Sequence, residues 1–219
     1  MTIPERLHPT IHTFCSDMWD GYLGAIADFI AINPDSKAKI VIDRFHVAQN
    51  YRKGFDTLRK QEMRRLRNEL PEAVYKELAH GMHWVLRHNY ANLDENDKVR
   101  LRSLFQHTPL LHQAYTLREE LTAIFNMQLS VTEGRRRLEK WCAKVERSAL
   151  TCFDKFLKTL RNHLAEIVNY FDKRASSGFV EGINNKLKTI TRRSYGLKRV
   201  DSLFRRLWLD LCGYWQFIV

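Results

Sequence analysis

The sequence predicts an α/β start that runs into a long all-helical chain, predominantly α-helical overall. Three observations carry that prediction. Two short apolar, β-rich stretches, "TIHTFCSD" (Thr10 to Asp17) and "AKIVID" (Ala38 to Asp43), each end on an aspartate. Between them "WDGYLGAIADFI" (Trp19 to Ile30) sets Tyr22, Leu23, Ile26, Phe29 and Ile30 at helical spacing. From about Phe45 onward the apolar residues keep that helical period.

Two strands on either side of a helix make a β-α-β unit, which pairs its strands in parallel. The "NPDS" stretch supplies the turn between helix and second strand. Two strands alone do not make a stable sheet, so further strands are expected from upstream or from another chain. The first long helix is "FHVAQNYRKGFDTLRKQEMRRLRNEL", which stops before Pro71. Pro71 suits the first position of a second helix, "PEAVYKELAHGMHWVLRHN". Asp94 is placed to cap "LDENDKVRLRSLFQH", which closes before Pro109. Further helices are expected over about Leu110–Met127, Ser130–Arg147, Leu150–Phe171, Gly178–Tyr195 and Val200–Trp215. The domain division that follows is 1–50 for the strand-helix-strand unit, 51–172 for a helical insertion and 173–219 for the C-terminal helices.

With 219 residues the chain can bury a sizeable core. It has no stretch near the roughly 20 apolar residues of a membrane span and no signal-peptide layout, so a cytoplasmic protein with no membrane partner is expected. The four cysteines (Cys15, Cys142, Cys152, Cys212) are scattered without a C-x-x-C pair, which points to reduced thiols. A formal net charge of +11 favours a polyanionic partner, of which nucleic acid is the commonest. The charge is unevenly spread. Met1 to Asn50 carries four bases and six acids, a net of −2, whereas Gly182 to Arg206 carries eight bases and one acid, a net of +7.

That basic stretch is headed by a lone carboxylate, Glu181. At about 100° per residue, Glu181, Asn185, Lys188 and Arg192 share one helix face, with Val180, Ile183, Leu187, Ile190 and Ser194 opposite. Glu181 is either an acid favoured in a first turn by the helix dipole or a metal ligand whose neighbours hold phosphates. Asp17 lies where parallel-sheet enzymes place ligand groups, or it caps the helix from Met18. Asp43 and His46 in "DRFH" form either a metal pair or a hydrogen bond that fixes the loop. Taken together, converging carboxylates beside a basic helix fit two-metal phosphoryl transfer on DNA. Such chemistry needs oxygen ligands for Mg2+ and cations for the phosphate backbone.

"SDMWDGY", "VIDRFHVAQN", "NYANLDENDKVRLRSLF", "LLHQAYTLREEL", "GFVEGINNKLKTITRRSYGLK" and "LFRRLWL" occur in that order between about Leu7 and Leu209. This succession resembles the ISL-three family of bacterial insertion-sequence transposases, DDE enzymes with an RNase H-like catalytic core. The resemblance implies a partial core of that kind interrupted by a large all-helical insertion. It implies Asp17 as the second acid of the triad and Glu181 as the third, both binding Mg2+ or Mn2+. Asp43, His46 and Asn185 would support the site, and Lys186, Lys188, Arg192, Arg193, Lys198 and Arg199 would hold DNA. The family's first aspartate is expected upstream of the position matching Met1. Little strand transfer is therefore expected from this chain alone, and the rival reading is a non-enzymatic DNA-binding or regulatory fragment. The implied partners are DNA and a second copy or a full-length transposase. A basic RNA-binding protein fits the charge but leaves Asp17, Asp43 and Glu181 unexplained.

Overall fold

A computed structural model of the chain describes residues 5–34, 36–194 and 199–217. It divides into two compact units, Met1–Ala175 and Ser176–Val219.

The first unit opens with a short 3-10 turn, Glu5–Thr10, and then the expected β-α-β element: β1 (Thr13–Ser16), α1 (Asp20–Ile32) and β2 (Lys39–Ile42). The strands pair in parallel, Thr13 with Lys39 through Ser16 with Ile42. Consecutive Val41 and Ile42 are both buried, as in a parallel strand covered on two faces. Lys39 turns its N–H to the His12 carbonyl, so the Ile40 carbonyl points to the outer edge of β2. There Asn169 Nδ2 donates to it at 2.8 Å. A helical side chain therefore satisfies this sheet edge, with no strand pairing there among the described residues.

The rest of the unit is helical: α2 (Arg44–Glu69), α3 (Glu72–Ala79), α4 (Met82–Val85), α5 (Glu95–His107), α6 (Pro109–Asn126), α7 (Val131–Arg147), α8 (Asp154–Asn162), α9 (Leu164–Val168) and α10 (Tyr170–Lys173). α2 is the central strut and runs through position 50 without a break. It buries Val47, Tyr51, Phe55, Leu58 and Leu66 along one side. Tyr51 stacks on Phe153 at 4.3 Å and donates to the Ala114 carbonyl at 2.6 Å. Trp141 Nε1 donates to the Leu117 carbonyl. Each such apolar side chain contributes about 1.5–3 kcal/mol by leaving water. Asp94 and Ser130 cap α5 and α7 by accepting from Asp97 N and Glu133 N.

The structure corrects three expectations in this unit. Pro71 stands just before α3 rather than in its first turn. The helix expected over 71–89 breaks at Gly81, whose φ of 65° suits glycine and separates α3 from α4. The helix expected over Leu150–Phe171 becomes a 3-10 turn (Thr151–Phe153) followed by α8, α9 and α10. Its apolar residues keep a helical period throughout, but the segment must first pack along α2 and then across β2. It re-aims at His163 and Asn169 to do so.

The second unit consists of α11 (Gly178–Arg193) packed on α12 (Val200–Phe217). All four cysteines are free thiols. Among the described residues, no helix is long and apolar enough to cross a membrane.

Candidate active site

In the first unit, both strands end on their aspartates. Ser16 and Ile42 form the last paired rung, so Asp17 and Asp43 occupy the next positions of strands spaced about 4.8 Å apart. Two carboxylates thus reach the C-terminal edge of the parallel pair together. Asp17 is half-buried, and its Oδ1 accepts from Trp19 N at 3.1 Å. That bond holds the turn into α1, whose first residue is Asp20 and not Met18. Oδ2 has no hydrogen-bond partner among the described residues.

Asp43 is buried at 4% exposure and caps α2, accepting from Phe45 N at 3.0 Å. Its charge is felt nearby: burial first, and then Asp43, raise the Cys15 thiol pKa above its ordinary value. His46 sits in the first turn of α2, half-buried and edge-on to Phe45 at 5.5 Å.

Trp19 opens the helical stretch of the sequence and lies within "SDMWDGY", which assigns it no role of its own. It lies two residues from Asp17, is 59% exposed, and meets Tyr22 edge-on at 4.6 Å. Its ring covers Gly21, where a Cβ would stand 2.7 Å from the indole. The signal was present as an aromatic between two acids followed by glycine.

In the second unit, Glu181 lies in the first turn of α11, exposed, with Oε1 accepting from Ser177 Oγ at 2.7 Å. Oε2 has no such partner among the described residues. Asn185, Lys188 and Arg192 follow it along the exposed face, and Arg193 is exposed beside them. The opposite side packs on α12 through buried Ile190 and half-buried Ile183 and Leu187. Val180 was expected on that side and is instead 57% exposed, because it lies in the first turn.

Lys186 also faces α12, with Nζ 2.8 Å from Asp210 Oδ2. The hydrogen bond from Lys186, together with its charge, holds the Asp210 carboxyl below the usual range. Arg199 is exposed at the head of α12, where its carbonyl accepts from Leu203 N. Lys198 lies outside the described residues.

Asp17 and Glu181 each keep one carboxylate oxygen uncommitted, and hard oxygen donors of this kind suit Mg2+ or Mn2+. Among the described residues, no group of three or more His, Cys, Asp or Glu side chains is gathered closely enough to hold a metal.

Residues 3–207 match a protein-family model described as Transposase, of the ISL-three DDE type. The transposase for insertion sequence element IS1001 of Bordetella parapertussis is 31% identical over 172 residues. That match covers 78% of this chain and 41% of the relative. The transposase for insertion sequence element IS1557 of Mycobacterium tuberculosis, from two strains, is 26% identical over 134 residues. Here the match covers 61% of this chain and 30% of the relative. The chain thus spans less than half the length of these curated relatives. No solved structure matches it.

Proposed function

Because this chain belongs to the ISL-three family of DDE transposases, we propose that it forms part of an RNase H-like catalytic core acting on DNA during transposition. In this reading Asp17 and Glu181 are the second and third acids of the triad, and DNA strand cleavage and strand transfer are the reactions they serve. The observation that carries the reading is the placement of Asp17 and Asp43 side by side at the carboxyl end of a parallel strand pair. Ligand sites in α/β sheets gather at that edge.

The residues divide the work. Asp17 and Glu181 would hold divalent ions through the oxygens that Trp19 N and Ser177 Oγ leave uncommitted. Bound there, Mg2+ or Mn2+ supplies Lewis-acid stabilisation of the attacking and leaving oxygens. Trp19 N and Ser177 Oγ orient the two carboxylates before any ligand arrives, so less ordering is left for binding. Asp43 holds the start of α2, and with it His46, at the edge of the sheet. Lys188 and Arg192 lie on the face headed by Glu181, where they would bind phosphates of the strand being cut.

The test is Mn2+ titration of the purified chain by electron paramagnetic resonance, with plasmid nicking in Mg2+ or Mn2+ measured in parallel. Asp17→Asn and Glu181→Gln should each weaken Mn2+ binding about tenfold or more, and any metal-dependent nicking should fall with it. A titration unchanged in both variants overturns the assignment.

A further inference from the structure

The outer side of α2 carries a row of cations that the proposed active site does not use. Taking Lys53 as the reference at about 100° per residue, Lys60, Arg64 and Arg67 fall within roughly 40° of it. The buried residues Tyr51, Phe55, Glu62 and Leu66 lie on the far side of the helix. Lys53, Lys60, Arg64 and Arg67 are all exposed. They form a ridge about 21 Å long.

The three acids of α2 are all engaged elsewhere. Asp56 pairs with Arg59 and Arg87, while Glu62 and Glu69 both pair with Arg65. The four ridge cations have no ion-pair partner among the described residues. An ordinary solvated helix intersperses its signs so that neighbours at i,i+4 attract. Here Lys60 and Arg64 stand at i,i+4, and Arg64 and Arg67 at i,i+3, so the ridge repels itself and costs the helix stability.

The direction of the ridge is also informative. α2 starts at the residue after Asp43, and His46 lies on the same outward stripe as Lys53. The ridge therefore continues the His46 stripe and begins about 14 Å along α2 from the edge where β1 and β2 end. We propose that Lys53, Lys60, Arg64 and Arg67 form a phosphate track along which duplex DNA lies on its way to the acids at the strand ends. The reading of that edge as catalytic is the one made above, and the track is a second DNA surface in addition to the exposed face of α11. With one charge per about 3.4 Å along each strand, the ridge spans about six base-pair steps.

The experiment is fluorescence-anisotropy binding of the full chain to a short DNA duplex across a salt series, in EDTA. The ridge variant is Lys53→Gln, Lys60→Gln, Arg64→Gln and Arg67→Gln together. The control removes the same charge from exposed positions off the ridge: Arg102→Gln, Lys140→Gln, Arg147→Gln and Lys155→Gln. At about 0.9 in log–log salt slope per phosphate contact, the ridge variant should lose about 2–4 of slope and bind at least about tenfold more weakly, with the control nearly unchanged. Exchanging the ridge lysines for arginine and its arginines for lysine should preserve the slope. Equal losses in ridge and control variants, no duplex DNA binding by the parent chain, or stronger binding to duplex RNA would each overturn the proposal. EDTA separates this test from the Mn2+ titration of Asp17 and Glu181, so either reading can fail alone.

Discussion

Helix α2 turns six side chains inward between Val47 and Leu66, whereas α11, sixteen residues long, buries only Ile190. The same contrast holds for the units that contain them. The first unit closes around fully buried Leu101, Leu104, Leu111, Leu138 and Phe153. The second leaves Phe179, Val180, Val200 and Trp208 more than half exposed. The first unit is therefore held by close packing, in which an added methyl group is felt at once. In the second, helix propensity, the first-turn acid and the solvent-screened Lys186–Asp210 pair weigh more, and these are individually small contributions.

The largest expected effect that tests this contrast is at Gly54. A Cβ there would stand 2.5 Å from the Cys152 carbonyl oxygen and 2.9 Å from the Phe153 ring. The carbonyl is backbone and cannot swing aside, so Gly54→Ala must push α2 away from the 3-10 turn. We expect a loss of about 3 kcal/mol or more. A thermal melt followed by circular dichroism should show it as a fall of about 6–12 °C in Tm. An unchanged melt would mean that the first unit is as loosely packed there as the second.

A smaller effect should appear at high pH. Burial pushes the Cys142 and Cys152 thiols from an ordinary 9.0 up to about 11, and the Tyr115 hydroxyl from 10.0 up to about 12. Raised folded-state values mean that the unfolded chain releases protons first. Stability is therefore whole below about pH 9 and declines as pH rises through 11. Denaturant midpoints should trace that decline, and Cys142→Ala with Cys152→Ala should flatten its first part relative to the parent. A decline that starts well below pH 9 would assign it to other groups.

Much of this architecture was legible because local signals and tertiary needs agreed. The β-α-β pattern placed two aspartates at strand ends, and parallel pairing then set them side by side. Asp94 and Ser130 marked α5 and α7 to within a residue because a cap is a local device. The segment from Leu150 to Phe171 was misread because its apolar period is continuous, while the surfaces it must cover, α2 and then β2, lie in different directions. The pairing of Lys186, a residue that the resemblance assigns to DNA, with Asp210 was not legible, because the two lie 24 residues apart and only the packing of α11 on α12 brings them together. The ridge on α2 was present in the sequence as a run of bases. Which of those bases are paired, however, depends on Arg87 of the neighbouring chain segment and on the burial of Glu62.

The smallest effect sets stability and function against each other. Gly182 follows Glu181 within α11, and nothing lies within 4 Å of where its Cβ would be. Within a helix, Gly→Ala is worth about 0.8–1 kcal/mol of added stability. Gly182→Ala should therefore slow amide hydrogen exchange along α11 by about fivefold. This is the opposite sign to Gly54→Ala from the same added methyl. If DNA affinity is also unchanged or higher, the glycine has no role in contacting a ligand. If α11 gains protection while DNA binding or metal-dependent nicking falls, the open space beside Glu181 is where a phosphate backbone approaches the helix too closely for a side chain to intervene. Faster exchange along α11 would show that the second unit is more tightly packed there than its exposed apolar residues imply, and would weaken the contrast between the two units.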